Sequence, residues 1–217
     1  MQIDATAAMD RMYRHQRHVY DLTRKFYLFG RDRLIRQLAP PQGAHICEIG
    51  CGTARNLIAL ARRHPGARLY GIDASAEMLK TADAAIARAG LDARIALRRC
   101  LADQLDPART FALAEKFDGV ICSYSLSMIP GWHAALDRAL TVLKPGGRLD
   151  IVDFWNDSSL PGWVRRPLNA WLALFDVTPR PEIADRLREI AAARGGHLVI
   201  ARILGGYAFH ITYWKVG

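Results

Sequence analysis

The 217-residue sequence has no apolar run long enough to cross a bilayer. Its longest uncharged stretch, 119–136, mixes apolar residues with serines, glycines, Pro130 and His133, which excludes a spanning helix. The first residues carry Asp4, Asp10 and Arg11 and have no basic start leading into an apolar segment. A secretory leader is therefore not expected, and the protein is expected in the cytoplasm. Cysteine is sparse: Cys47, Cys51, Cys100 and Cys122 have no CxxC spacing, and the 7 histidines have no HExxH pattern. Buried thiols and no structural metal are expected. Lysine is scarce too, at positions 25, 80, 116, 144 and 215 alone, so arginine supplies nearly all of the 30 basic residues and the formal charge of +9. Arginine grips phosphates and carboxylates through its planar fork, which points to anionic partners, nucleic acid or lipid headgroups. A high-GC coding bias accounts for the same excess. What is present is 51% hydrophobic and 24% charged residues, the balance of a well-cored globular domain.

From His45 onward short apolar runs of β type alternate with helical segments, the pattern of a doubly wound α/β sheet. Strands are expected at 45–49, 68–72, 94–97, 117–122, 148–153, 198–203 and 207–214, and helices at 53–63, 75–89, 132–143 and 181–193. Gly205-Gly206 between the last two strands predicts an antiparallel hairpin at the end of an otherwise parallel Rossmann-like sheet. Ahead of the sheet, residues 9–29 put Met9, Met12, Tyr13, Tyr20, Phe26 and Tyr27 near helical spacing, with Arg14, Arg17, Arg24 and Lys25 between them. This reads as a basic, aromatic N-terminal helical extension, and Pro40-Pro41-Gln42-Gly43 then breaks the chain. The expected division is 1–42, a helical lid or substrate segment, and 43–217, the sheet domain.

Glu48-Ile49-Gly50-Cys51-Gly52-Thr53-Ala54 follows a strand and opens a helix, with Asp73 at the end of the next strand. Glycines there permit a tight turn and close approach of a ligand, and an acid about 20 residues on can grip ribose hydroxyls, so a nucleoside-type cofactor is expected. The dinucleotide fingerprint GxGxxG is broken by Arg55, which argues against a nicotinamide cofactor. The bare alternative is that the glycines only make a turn and Asp73 only caps a helix. Residues 48–54, Gly71-Ile72-Asp73, 117–122 and Leu143-Lys144-Pro145-Gly146-Gly147 together resemble the class I S-adenosylmethionine-dependent methyltransferases over about residues 43–154. That resemblance implies a site for S-adenosyl-L-methionine, with S-adenosyl-L-homocysteine as product, made by Glu48, Gly50, Cys51, Gly52, Asp73, Ala74, Met78, Leu101, Ala102 and Ser123. Two positions depart from the family pattern: Ala54 stands for a third glycine, and Leu101 stands where many members carry an acid, leaving adenine to backbone and Asp103. Glu48 is also readable as a buried carboxylate that organises the turn.

The segment 13–33 and the run Ser123-Tyr124-Ser125-Leu126-Ser127-Met128-Ile129-Pro130-Gly131-Trp132, with Val152-Asp153-Phe154 and Leu160-Pro161-Gly162-Trp163, resemble the N-methyltransferases of bacterial betaine-lipid synthesis. That resemblance implies three methyl transfers to the amine of diacylglyceryl-homoserine, giving its trimethyl betaine lipid, and a separate enzyme that makes the homoserine lipid. A protonated amine must lose its proton before attack, so a polar acceptor near the nitrogen is expected. The catalytic candidates are Tyr20, Tyr124 and Asp153; each also reads blandly, as a helix-face aromatic, a loop aromatic and a loop cap. Arg14, Arg17 and Arg24 are candidates for holding the substrate carboxylate, or else a solvated helix face, and Tyr13 is a further substrate-binding candidate. Trp155, Trp163 and Trp171, with Arg165 and Arg166, suit a peripheral contact with the anionic inner membrane surface, or else a core or acyl pocket.

The alternatives are a phosphatidylethanolamine N-methyltransferase, an RNA methyltransferase and a cofactor-binding partner without turnover. The basic composition favours the RNA reading, but no Asn/Asp-Pro-Pro-Tyr follows the fourth strand and Cys122 is not in a Pro-Cys motif.

Overall fold

A computed structural model describes residues 29–155 and 177–217, with Gly162 and Arg166. Its seven-stranded sheet has the order β3-β2-β1-β4-β5-β7-β6. The strands are β1 (His45–Ile49), β2 (Arg68–Asp73), β3 (Ile95–Arg99), β4 (Phe117–Ser123), β5 (Leu143–Phe154), β6 (His197–Ile203) and β7 (Ala208–Trp214). The first five pair in parallel, and β7 runs antiparallel to both β5 and β6. This is the doubly wound, mostly parallel α/β sheet expected above, with its closing antiparallel hairpin.

The central strands are apolar on both faces because both are covered. Cys47, Ile49, Val120, Cys122 and Ile151 face one apolar layer, under α5 (Trp132–Thr141) and α6 (Glu182–Arg194). Ile46, Ile121, Val152 and Phe154 face the other, under α1 (Arg31–Gln37), α2 (Arg55–Arg63) and α3 (Ala76–Ala89). Alternate residues of one strand thus feed opposite layers, as the pleat requires. A short α4 (Pro107–Phe111) follows β3, with Pro at its first turn and the Asp106 carboxylate accepting from the Arg109 N–H at 2.9 Å.

The elements differ from expectation in instructive places. The α2 helix begins at Arg55 rather than Thr53, because Ala54 is left-handed with φ 59° and cannot continue a helix N-terminally. Instead of ending at 143, α5 stops at Thr141, and β5 starts at Leu143 rather than at Arg148. Leu143 pairs with Phe117, the register then shifts, and Arg148 pairs with Gly119, so the Lys144–Gly147 turn, with Gly146 at φ 72°, is an interruption inside the ladder. Leu204 to Tyr207 close the last hairpin, so β7 starts one residue later than expected. The short helices α1 and α4 were not expected. Leu34 and Leu38, at α1, are buried in the layer shared with α2 and α3. The helix expected over residues 9–29 falls, apart from Phe29, outside the described residues. Among the described residues no helix is long and apolar enough to cross a membrane.

Candidate active site

β1 lies between β2 and β4, where the chain reverses its direction of winding through the sheet, and a crevice opens beyond the strand ends there. The Gly50 and Cys51 N–H groups both donate to the Ile72 carbonyl, at 2.9 and 3.0 Å, which folds the turn back over β2. Gly50 has φ 70°, and a Cβ on it would meet the Ser125 Cβ at 2.6 Å, so glycine is required twice over. Gly52 and Ala54 are also left-handed, at 52° and 59°. Alanine therefore holds a conformation that glycine adopts freely, at a cost of roughly 1 kcal/mol.

Asp73 ends β2 and binds the turn directly. The Gly52 N–H donates to its Oδ2 at 2.8 Å and the Ser75 N–H to its Oδ1 at 2.9 Å. Glu48 is buried, and Asn56 Nδ2 donates to its Oε1 at 2.6 Å, tying β1 to α2 beneath the turn.

A cavity of about 280 Å³ occupies the crevice. Of the expected cofactor contacts, Gly50, Gly52, Asp73, Ala74, Met78, Leu101 and Ala102 line it, whereas the buried Glu48, Cys51 and Ser123 do not. Sequence reasoning missed Ile49, Ile72, Cys100, Ser125, Met128–Gly131 and the α5 residues Ala134 and Ala135. The signal for the last group was the Ala134-Ala135 pair in the first turn of α5, small side chains next to the 128–131 segment that also lines the cavity. The donor set fits S-adenosylmethionine: a carboxylate for a diol, close-approach glycine backbone, and apolar walls with Asp103 at one end. Among the described residues no group of His, Cys, Asp or Glu could hold a metal ion. Burial raises the thiol pKa of Cys47, Cys51 and Cys122, so none is a ready nucleophile.

Tyr124 follows β4 and lines the cavity, but its hydroxyl donates to the Phe29 carbonyl. Burial pushes its phenol well above the usual range. Asp153, expected at the acceptor mouth, instead sits beneath the 126–128 turn. It is buried, its Oδ2 accepts from the Ser127 N–H at 3.0 Å, and its Oδ1 from the Phe154 N–H at 2.8 Å. Burial pushes its carboxyl up to about 6, although those N–H groups oppose the shift. Tyr13, Arg14, Arg17, Tyr20 and Arg24 lie outside the described residues, as do Trp163, Arg165 and Trp171. Trp155 is half-buried, edge-on to Phe209 with centroids 5.7 Å apart, and Arg202 stands over it at 5.4 Å.

The model of a family described as "Methyltransferase domain" matches residues 46–147. The nocamycin O-methyltransferase of Saccharothrix syringae is 31% identical over 181 residues, covering 82% of this chain and 62% of that protein. The ubiquinone/menaquinone biosynthesis C-methyltransferase of Syntrophotalea carbinolica is 31% identical over 140 residues, covering 62% and 56%. The chain thus spans about three-fifths of the length of such relatives. Among solved structures, an O-methyltransferase family 2 protein from Planctomyces limnophilus, in complex with apigenin, superposes with TM-score 0.68 at 22% identity, over 92% of this chain and 61% of that one. A methyltransferase from Aquifex aeolicus superposes with TM-score 0.62 at 16% identity, over 89% and 93%.

Proposed function

Because the chain has the class I S-adenosylmethionine-dependent methyltransferase fold, with S-adenosylmethionine as its cofactor, we infer that it transfers the activated methyl to a nucleophile approaching along the 124–130 wall of the cavity. The observation that carries this reading is the Asp73 carboxylate, locked by the Gly52 and Ser75 N–H groups at the edge of the cavity. We propose the amine of a lipid headgroup as acceptor, with diacylglyceryl-homoserine converted to its trimethyl betaine lipid in three transfers. Support comes from the sequence pattern running from Ser123 to Trp132, part of which lines the same cavity as Asp73. A peripheral position at an anionic membrane surface, and a separate enzyme supplying the homoserine lipid, belong to the same proposal.

The Gly50–Gly52 turn and Asp73 would hold S-adenosylmethionine, and the amine, having given its proton to solvent before entering, would take the methyl with its lone pair as the sulfur leaves as a neutral thioether. Bound S-adenosylmethionine supplies a methyl already activated by its sulfonium. The chain's own contribution is alignment and exclusion of water, worth about 7–11 kcal/mol in well-oriented systems. Apolar walls around Met128 and Ile129 also disfavour the charged ammonium, helping the amine enter neutral. Burial holds the Tyr124 phenol well above its usual range, so it stays protonated and is not proposed as the base.

A second reading, transfer to oxygen or carbon, is favoured by the relatives, which are named as O- and C-methyltransferases. Both are tested by incubating the protein with S-adenosylmethionine and vesicles of diacylglyceryl-homoserine or phosphatidylethanolamine, a quinol, or tRNA, followed by mass spectrometry. Three added methyls on the homoserine lipid alone support the first reading. Methylated phosphatidylethanolamine corrects the headgroup, methylated quinol supports the second reading, and methylated tRNA overturns both. Cofactor binding with transfer to none of the four points to a partner protein without turnover.

A further inference from the structure

Tyr124 carries a conformation that an aromatic residue rarely adopts, φ 54°, immediately beside the cavity. Such strain persists only where the surroundings over-determine it, and here three contacts do so. Its N–H donates to the Val152 carbonyl at 2.7 Å. Its ring stands against Phe154, with centroids 4.6 Å apart. The next residue, Ser125, packs against the Gly50 turn so closely that a Cβ at Gly50 has no room. Backbone and ring thus shape the wall, while the hydroxyl donates to the carbonyl of Phe29, a residue 95 positions away that does not line the cavity.

The receiving end is built as specifically. Phe29 stands edge-on to Tyr207 at 5.6 Å, and Tyr207 to Phe154 at 5.7 Å, closing a ring of aromatics around the contact. Gly30 has φ 92°, and a Cβ there would fall 2.3 Å from Ile203 Cδ1 and 3.2 Å from Val152 Cγ1. Only glycine lets the chain lie this close to β5 and β6. The Gly30 carbonyl then accepts from the Leu34 N–H at 2.9 Å, starting α1.

We propose that Tyr124 is a positioning residue whose hydroxyl fastens the Phe29–Gly30 segment to the acceptor-side wall of the cavity. Acceptor binding depends on that hydroxyl and cofactor binding does not. Asp73 and the Gly50–Gly52 turn, which would grip the cofactor, adjoin Tyr124 through the packing of Ser125 on Gly50, and loss of the hydroxyl leaves that packing in place. The kinetic arm of the test rests on the methyl-transfer reading above; the exchange arm does not.

Tyr124→Phe keeps the ring and removes the hydrogen bond. Its affinity for S-adenosylhomocysteine, measured by calorimetry, is expected to stay within about twofold of the parent. The acceptor KM is expected to rise at least about fivefold with kcat little changed, and the Leu34 and Leu38 amides to exchange at least about tenfold faster, a loss in the range of one hydrogen bond. Gly30→Ala attacks the same contact from the other side and should give the same signature, with the double variant no worse than the more affected single one. Unchanged exchange at Leu34 and Leu38 in Tyr124→Phe overturns the proposal. So does a parallel loss of S-adenosylhomocysteine affinity, or additivity of the two substitutions. If the parent methylates no acceptor, the methyl-transfer reading fails while the exchange and double-variant results still decide the role of Tyr124.

Discussion

Asp73 does two jobs with one carboxylate: it accepts the Gly52 and Ser75 N–H groups and presents its edge to the cavity. Hydrogen bonds to a charged group contribute about 1.5–3 kcal/mol each. Asp73→Ala is therefore expected to weaken S-adenosylhomocysteine binding at least about 100-fold by calorimetry, while the melting profile stays cooperative. Unchanged affinity would remove Asp73 from the site. Asp153 makes a different prediction, about pH. Its carboxyl is raised from 3.8 to about 6 by burial, so the native state holds this proton more tightly than the unfolded chain does. Its stabilising contribution is complete below about pH 4 and is lost as pH rises through 6, a change of about 3 kcal/mol at about 1.4 per unit. Urea unfolding of Asp153→Asn should lack that pH-dependent component between pH 4 and 6, and an identical slope in both proteins would refute it. The roles of both aspartates were half legible. Their positions at strand ends follow from the apolar pattern, but which N–H groups they accept depends on loops folded over them.

At the scale of the element, α3 shows how local chemistry and the site are joined. The Ser75 hydroxyl accepts from the Met78 N–H at 3.3 Å as an N-cap, and Gly90 ends the helix at φ 67°. Ser75→Ala should cost about 1 kcal/mol, or about 3 °C in Tm, yet leave cofactor affinity intact, because Asp73 uses the Ser75 backbone N–H and not its hydroxyl. Calorimetric melting and S-adenosylhomocysteine titration separate the two effects; loss of affinity would show that the cap also shapes the site. Caps of this kind are readable in a sequence because donor and acceptor are a few residues apart. The α1 helix was not readable: its seven residues carry no cap side chain, and Gly30 is left-handed to fit against Ile203 and Val152, residues far along the chain.

Across the whole molecule, a buried polar cluster joins β5 to β7 and both to the end of α1. Arg148 Nε and Nη2 donate to Asp150 Oδ2 and Oδ1 at 2.6 and 2.7 Å. His210 and Thr212 reach Oδ1 at 3.0 and 2.9 Å, and Arg148 Nη1 donates to the Gln37 carbonyl at 3.0 Å. Removing one partner strands a charge in the interior, so Arg148→Met should destabilise by about 3 kcal/mol in urea titration. A loss under about 1 kcal/mol would show that His210 and Thr212 together suffice for Asp150. This cluster marks the division between what sequence and tertiary structure decide. Alternating and continuous apolar runs, caps and glycine punctuation are local signals, and by themselves they determined the order of the strands and of the four longer helices between them, the glycine turn with Asp73, and the closing hairpin. Long-range contacts decided the rest: the Phe29 carbonyl as partner of Tyr124, the turn of which Asp153 is the floor, the ladder interrupted at Lys144–Gly147, and the small residues of α5 that face the cavity. The physical reason is that a hydrogen bond between residues 26 or 95 positions apart, or an excluded Cβ, leaves no periodicity along the chain and exists only once the sheet has brought the residues together.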